Sequence, residues 1–193
     1  MPPSLGPRLT EVVLYLQRER AELVAYVQSL PGSSLSQRPS ANSWSVAETL
    51  EHLVKIESGA GRLISTLLKQ VIAEGNTTQE ETSIMHKLDQ FFAGEGSQKL
   101  EAPDFVKPTG VVSASDSLEA LETIRGRVIE AIEKSAGWDL GSVSYSHPFF
   151  GPITGYQWML LIGKHEERHL KQIKEAARQN SQGPTQGHQG TVC

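Results

Sequence analysis

The sequence predicts an all-α fold, a four-helix bundle with a long crossover between helices 2 and 3. Three observations carry this. Four long stretches repeat apolar residues at helical spacing. The second and third are parted by residues 75–115, a polar span broken by Gly and Pro. No stretch reads as a convincing strand, and no internal repeat is visible. At 193 residues, 38% of them apolar and 21% charged, the chain suits one globular domain with a real core. The expected organisation is a domain over residues 1–179 and a disordered tail over 180–193, which lacks apolar content.

Composition also excludes partners. A formal charge of −4 offers no basic footprint for nucleic acid. No apolar run approaches the roughly 20 residues of a membrane span, and the N-terminus lacks the basic-then-apolar pattern of a signal peptide. The only cysteine, Cys193, has no partner within the chain. A reducing cytoplasm is therefore the expected location.

Each helix has its own signals. The first is expected over residues 5–30, with Leu9, Val12, Leu16, Leu23 and Val27 inward, stopped by Pro31-Gly32. Ser45 followed by Glu48 fits a capping box for the second, Ser45 as N-cap and Glu48 as N3. Leu50, Leu53, Ala60, Ile64, Leu67, Leu68 and Val71 make its buried face. Gly59 and Gly61 each cost this helix about 1 kcal/mol relative to alanine, consistent with a bend or a close helix approach. Within the crossover a short helix is expected near residues 80–92. The third helix should start near Ser115 and Asp116 and end near Ala136-Gly137, with Leu118, Leu121, Ile124, Val128, Ile129 and Ile132 inward. An aromatic, turn-rich segment, WDLGSVSYSHPFFGPITG, leads to the fourth helix, residues 154–179.

That last helix carries the chemistry. Leu161, His165, His169 and Ile173 form one row, so two imidazoles stand one above the other on a face expected to meet the core. A lone histidine there is usually a hydrogen-bonded core residue. Two four residues apart suit one metal ion. Of the other histidines, His188 lies in the tail and His86 in the crossover. His147 belongs to a His-Pro step whose simplest role is in the loop. His52, in the second turn of helix 2 at the edge of its apolar stripe, is the best candidate for a third ligand. Glu57, on the buried row of that helix, can pair with an arginine or orient a bound water, but is expected to be a boundary carboxylate reaching solvent.

Taken together, Trp44-Ser45, His52, His147-Pro148, Phe150-Gly151-Pro152, Trp158 and His165-x-x-x-His169-Leu170 resemble the DinB/YfiT-like superfamily, in order and spacing, over residues 9–179. The resemblance implies a four-helix bundle, commonly a homodimer, with a divalent metal, zinc or nickel, on three histidines. By position these are His52, His165 and His169. It further implies chemistry with a low-molecular-weight thiol cosubstrate, as in bacillithiol S-transferases and mycothiol-dependent maleylpyruvate isomerase, although many members have no known reaction.

Three neutral imidazoles leave an ion its double charge and an open position, the pattern of a catalytic site. Such an ion lowers the pKa of a thiol or a water, giving a transferase or a hydrolase acting on a small electrophilic substrate. Trp44, Tyr156, Trp158, Phe149 and Phe150 are candidate pocket walls, though each is more often core. A metal-binding or stress-associated dimeric module without turnover is the alternative. His165-Glu166-Glu167-Arg168-His169 also matches H-E-x-x-H, which would make Glu166 the general base of a metalloprotease. That reading lacks a downstream third ligand, and Glu166 is expected to be a solvated surface carboxylate. A di-iron bundle needs two Glu-x-x-His motifs, and only one is present.

Overall fold

A computed structural model describes residues 5–78, 82–86 and 102–182. Four helices form the body: α1 Pro7–Gln28, α2 Val46–Glu74, α3 Ala114–Lys134 and α4 Gly155–Gln182. Local chemistry sets their ends. Pro7 occupies the first turn of α1, where its missing N–H costs nothing. Ser45 and Glu48 close the expected capping box on α2, and Gly75 ends that helix in the left-handed region at φ 71°. Ser113 caps α3 through the Asp116 N–H. Thr154 and Gln157 exchange reciprocal bonds at the start of α4, at 3.3 and 2.8 Å.

Helix α2 packs along α3 and α4, while α1 packs along α4 and, less extensively, α3. The first two helices therefore stand across a diagonal. Close approaches fix these seams. A Cβ on Gly61 would lie 2.9 Å from Val128 Cγ2, so this glycine seats α3 against α2. At Gly163 a Cβ would fall 2.7 Å from Tyr15 Cζ, so the ring of α1 lies directly on the α4 backbone.

The apolar interior is two clusters. One gathers Leu9, Val12, Leu16, Ala60, Ile64, Val128, Ile132, Met159 and Ile162. The other gathers Leu23, Val27, Leu50, Leu53, Leu121, Leu170 and Ile173. Between them every helix places a charged residue on its core stripe: Arg20 after Leu16, Glu57 after Leu53, Arg125 after Leu121, Glu166 after Ile162.

Two expectations need correcting here. The segment before α4 contains a β-hairpin, β1 Ser144–His147 antiparallel to β2 Gly151–Thr154, with His147 opposite Gly151. Its signal was masked because the flanks are short and Gly151, at φ 67°, closes a turn that Pro148 and two phenylalanines make look like irregular chain. Second, α4 continues through residues 180–182, where the tail was expected to begin. The rest of that tail, with His188, lies outside the described residues. So does most of the helix expected over 80–92, whose described part, 82–86, is not helical.

Candidate metal centre

Helices α2 and α4 bring His52, His165 and His169 together, with one potential ligand nitrogen from each inside a mutual distance of 4.8 Å. His165 and His169 point Nε2 at Nε2 across 3.1 Å. Ring centroids lie 5.2 Å apart for His52 and His165, 4.8 Å for His52 and His169, and 4.4 Å for the α4 pair. His52 and His169 are buried; His165 keeps partial exposure.

The tautomer of His52 is held. Its Nδ1 donates to the Val106 carbonyl at 2.9 Å, leaving Nε2 as the free lone pair. Val106 belongs to a short 3-10 turn, Asp104–Val106, of the crossover. Among the described residues Nδ1 of His165 and of His169 is buried without a hydrogen-bond partner, while the Gln172 side chain favours protonation of His169. Burial pushes all three rings below the ordinary histidine range; the neighbouring rings further oppose protonation of His165, and His52 that of His169, which falls to about 3. Neutral imidazole is the ligating form.

These residues fit a metal ion. Two nitrogens each about 2.05 Å from a tetrahedral ion stand roughly 3.3 Å apart, close to the separation of the α4 pair. Two facing neutral Nε2 atoms either share one proton or repel, and a shared cation resolves that conflict.

Around the triad, Trp44 lies against His52 with ring centroids 4.9 Å apart. His147 forms an aromatic group with Phe150 at 4.6 Å, Trp158 at 5.3 Å and Phe149 at 5.8 Å. It is near enough that its charge would lower the pKa of His165. It is the last residue of β1, not the loop residue expected, and its Nδ1 accepts from the Phe149 N–H at 3.2 Å within the hairpin turn. Tyr156 is set apart. It is buried in the first cluster under Arg8, whose guanidinium stands 5.0 Å from its ring. With Arg8, Thr82, His86 and Asp139 it lines a cavity of about 440 Å³ that none of the three histidines touches.

The two carboxylates singled out from the sequence are not where they were expected. Glu57 and Glu166 are 5% and 2% exposed, which overturns both the boundary and the surface assignment. Arg20 donates to Glu166 Oε1 and to Glu57 Oε2, each at 2.5 Å. Arg125 donates to Glu57 Oε1 and to Glu166 Oε2, each at 2.6 Å. Their remaining N–H groups reach the backbone carbonyls of Leu121 and Leu16. The result is a closed, neutral ring with one member from each helix. Glu166 thus has both oxygens committed to arginines, which removes the general base of a metalloprotease. Arg20 and Arg125 went unremarked in the sequence. The available signal was one charged residue at the centre of every apolar stripe, two positive and two negative.

Fold and site together define a class: a four-helix bundle with three converging histidines that could hold one metal ion. The chain belongs to the DinB superfamily, whose family profile matches residues 15–173. It is 31% identical over 157 residues to a Bacillus subtilis (strain 168) protein described as "Uncharacterized protein YuaE", covering 81% of this chain and 91% of that one. Among solved structures it resembles TT2238, described as a four-helix bundle protein, with a TM-score of 0.59 at 18% identity, covering 86% of this chain and 98% of the other. The His triad is positioned to bind a metal ion. No described helix is long and apolar enough to cross a membrane.

Proposed function

We propose that this chain is a divalent-metal-dependent enzyme, a thiol S-transferase or a hydrolase acting on a small electrophilic substrate, with His52, His165 and His169 holding zinc or nickel. The observation that carries the reading is the convergence of three imidazoles kept neutral by burial, with His52 Nε2 left free by the bond from its Nδ1. When bound, the ion supplies Lewis acidity and lowers the pKa of a thiol or water in its open position. The chain's own groups do the rest. Val106 fixes the ring of His52, and burial excludes the protons that would compete for the ligand nitrogens. Trp44 and the His147 group supply apolar walls. The Arg20–Glu57–Arg125–Glu166 ring holds α2 and α4 in register beside the triad. Family membership supports the same reading.

Cobalt-substituted protein tests it. Adding a small thiol should produce a thiolate-to-metal absorption band that fades on acidification, since protons compete for both ligand types. Normal cobalt binding with no band for any thiol would favour hydrolysis. Without turnover on any electrophile, with or without thiols, the non-catalytic metal-binding module takes over. That second reading draws support from the 440 Å³ cavity lying away from the triad. We also propose a homodimer. Light scattering should give about twice the chain mass, C2 pairing being the commonest assembly.

A further inference from the structure

We propose that Glu51 is the positioning residue of the metal centre, holding a strap of the crossover in place so that the Val106 carbonyl fixes which nitrogen His52 offers. The proposal rests on the metal-site reading above. Glu51 precedes His52 on α2 and is 3% exposed, yet it touches none of the three histidines' ring nitrogens in any recorded bond. Its carboxylate is instead turned onto the strap. The Thr109 N–H donates to both oxygens at 2.9 Å, the Thr109 hydroxyl to Oε1 at 3.0 Å, and the Gly110 N–H to Oε2 at 3.0 Å. Successive N–H groups converging on one carboxylate make a concave anion cradle, and Gly110 completes it at φ 77°, in the left-handed region that favours glycine.

Lys55, one turn further along α2, secures the same strap from the other side. Its Nζ stands 3.0 Å from Glu51 and donates to the Lys107 carbonyl at 2.6 Å. Residues 107 to 110 are thus clamped onto α2 immediately after Val106. Val106 is itself buried, so its apolar side chain and this clamp together hold its carbonyl at His52. Hydrogen bonds to a charged carboxylate are roughly twice as strong as neutral ones, and Glu51 accepts from both Thr109 and Gly110 of this strap. The contrast with α4 is informative: among the described residues nothing supports His165 or His169 at Nδ1 in this way.

The test uses the full chain with the isosteric Glu51→Gln, which keeps the volume but turns an N–H donor toward N–H donors. Two readouts are needed. Zinc affinity, measured by competition with a chromogenic chelator, should fall about 10- to 100-fold, the usual cost of losing an orienting partner. In metal-free protein, long-range nitrogen–proton NMR should show His52 as the pure Nδ1–H tautomer in the wild type and as a mixture in Glu51→Gln. A folded variant with wild-type zinc affinity and an unchanged tautomer would overturn the proposal. If Glu51→Gln does not fold, Gly110→Ala attacks the same cradle from the strap, leaving α2 intact. It should move both readouts in the same direction, and no movement would equally overturn the idea. Should the wild type bind no zinc, the metal reading fails, while the tautomer comparison still decides the role of Glu51.

Discussion

Two buried polar layers stand side by side in this bundle, and they are built on opposite principles. The Arg20–Glu57–Arg125–Glu166 ring is complete: two positive and two negative groups, one from each helix, with every carboxylate oxygen accepting from an arginine. The histidine triad is incomplete. It comes from two helices, faces nitrogen to nitrogen, and leaves two Nδ1 atoms without a partner among the described residues. Burying a polar group without a partner costs stability, so a fold keeps such an arrangement only where something else compensates. A satisfied layer specifies how helices align; the converging Nε2 atoms of the other mark where a metal ion could be held.

The largest expected effect falls on the ring. Arg125→Ala would leave Glu57 and Glu166 buried with half their partners, and removing one member of a buried ion pair typically costs about 3–5 kcal/mol. Urea denaturation of metal-free protein should show a loss of that size. His169→Ala in the same metal-free protein should stay within about 1.5 kcal/mol of wild type, since it strands no charge. Equal losses at both positions would erase the distinction between the layers.

Adding metal should close most of that gap. Zinc at about 100 times its dissociation constant should stabilise the wild type by about 2.7 kcal/mol. The His165→Ala, His169→Ala double variant should lose that gain and most of the bound metal, read by elemental analysis of purified protein. Full occupancy in the double variant would move the site elsewhere.

The two layers also differed in how far they could be seen in the sequence. The four helices were legible because apolar periodicity and caps are local; Ser45 and Glu48 form the very pair their spacing announces. His165 and His169 were legible because four residues of helix fix their relation without tertiary structure. Joining His52 to them took family resemblance as well, since its partners arrive from a different helix. The ring was not legible. Glu166 looked like a surface charge because charged residues are rarely buried unless paired, and the pairing depends on arginines 146 and 41 positions away in sequence. The strap behind His52 escaped for the same reason, and the hairpin because its strands are only four residues each.

Acid should separate the layers next. The triad must stay neutral when folded: burial pushes His169 down to about 3 and holds His52 and His165 below the ordinary histidine range. An unfolded histidine titrates near 6.5. Between these values the unfolded chain binds more protons than the folded one, so stability falls as pH drops below about 6.5. The slope can reach about 1.4 kcal/mol per pH unit for each histidine. Urea midpoints of metal-free protein at about pH 7.5 and about pH 5 should show this fall, and His169→Ala should flatten it. An equally steep fall in His169→Ala would assign the acid sensitivity to other groups.

The smallest expected effect on the metal site is the most diagnostic. Glu166 follows His165 directly in the chain and is the glutamate of an H-E-x-x-H match, so a metalloprotease would have it acting on the substrate side of the metal. Here Oε1 belongs to Arg20 and Oε2 to Arg125, inside the core. Glu166→Gln keeps the shape but removes the charge, leaving two arginines facing one remaining carboxylate. Stability should therefore fall, by about 1–3 kcal/mol for weakened charged hydrogen bonds. Zinc affinity should not change beyond about threefold, because the triad's ligands and the Val106 support of His52 are untouched. Any activity found for the wild type should survive at comparable kcat once folding is ensured. A loss of several orders of magnitude in kcat, with metal retained and the fold intact, would mean that Glu166 leaves the ring during turnover, and the two layers would then be one site.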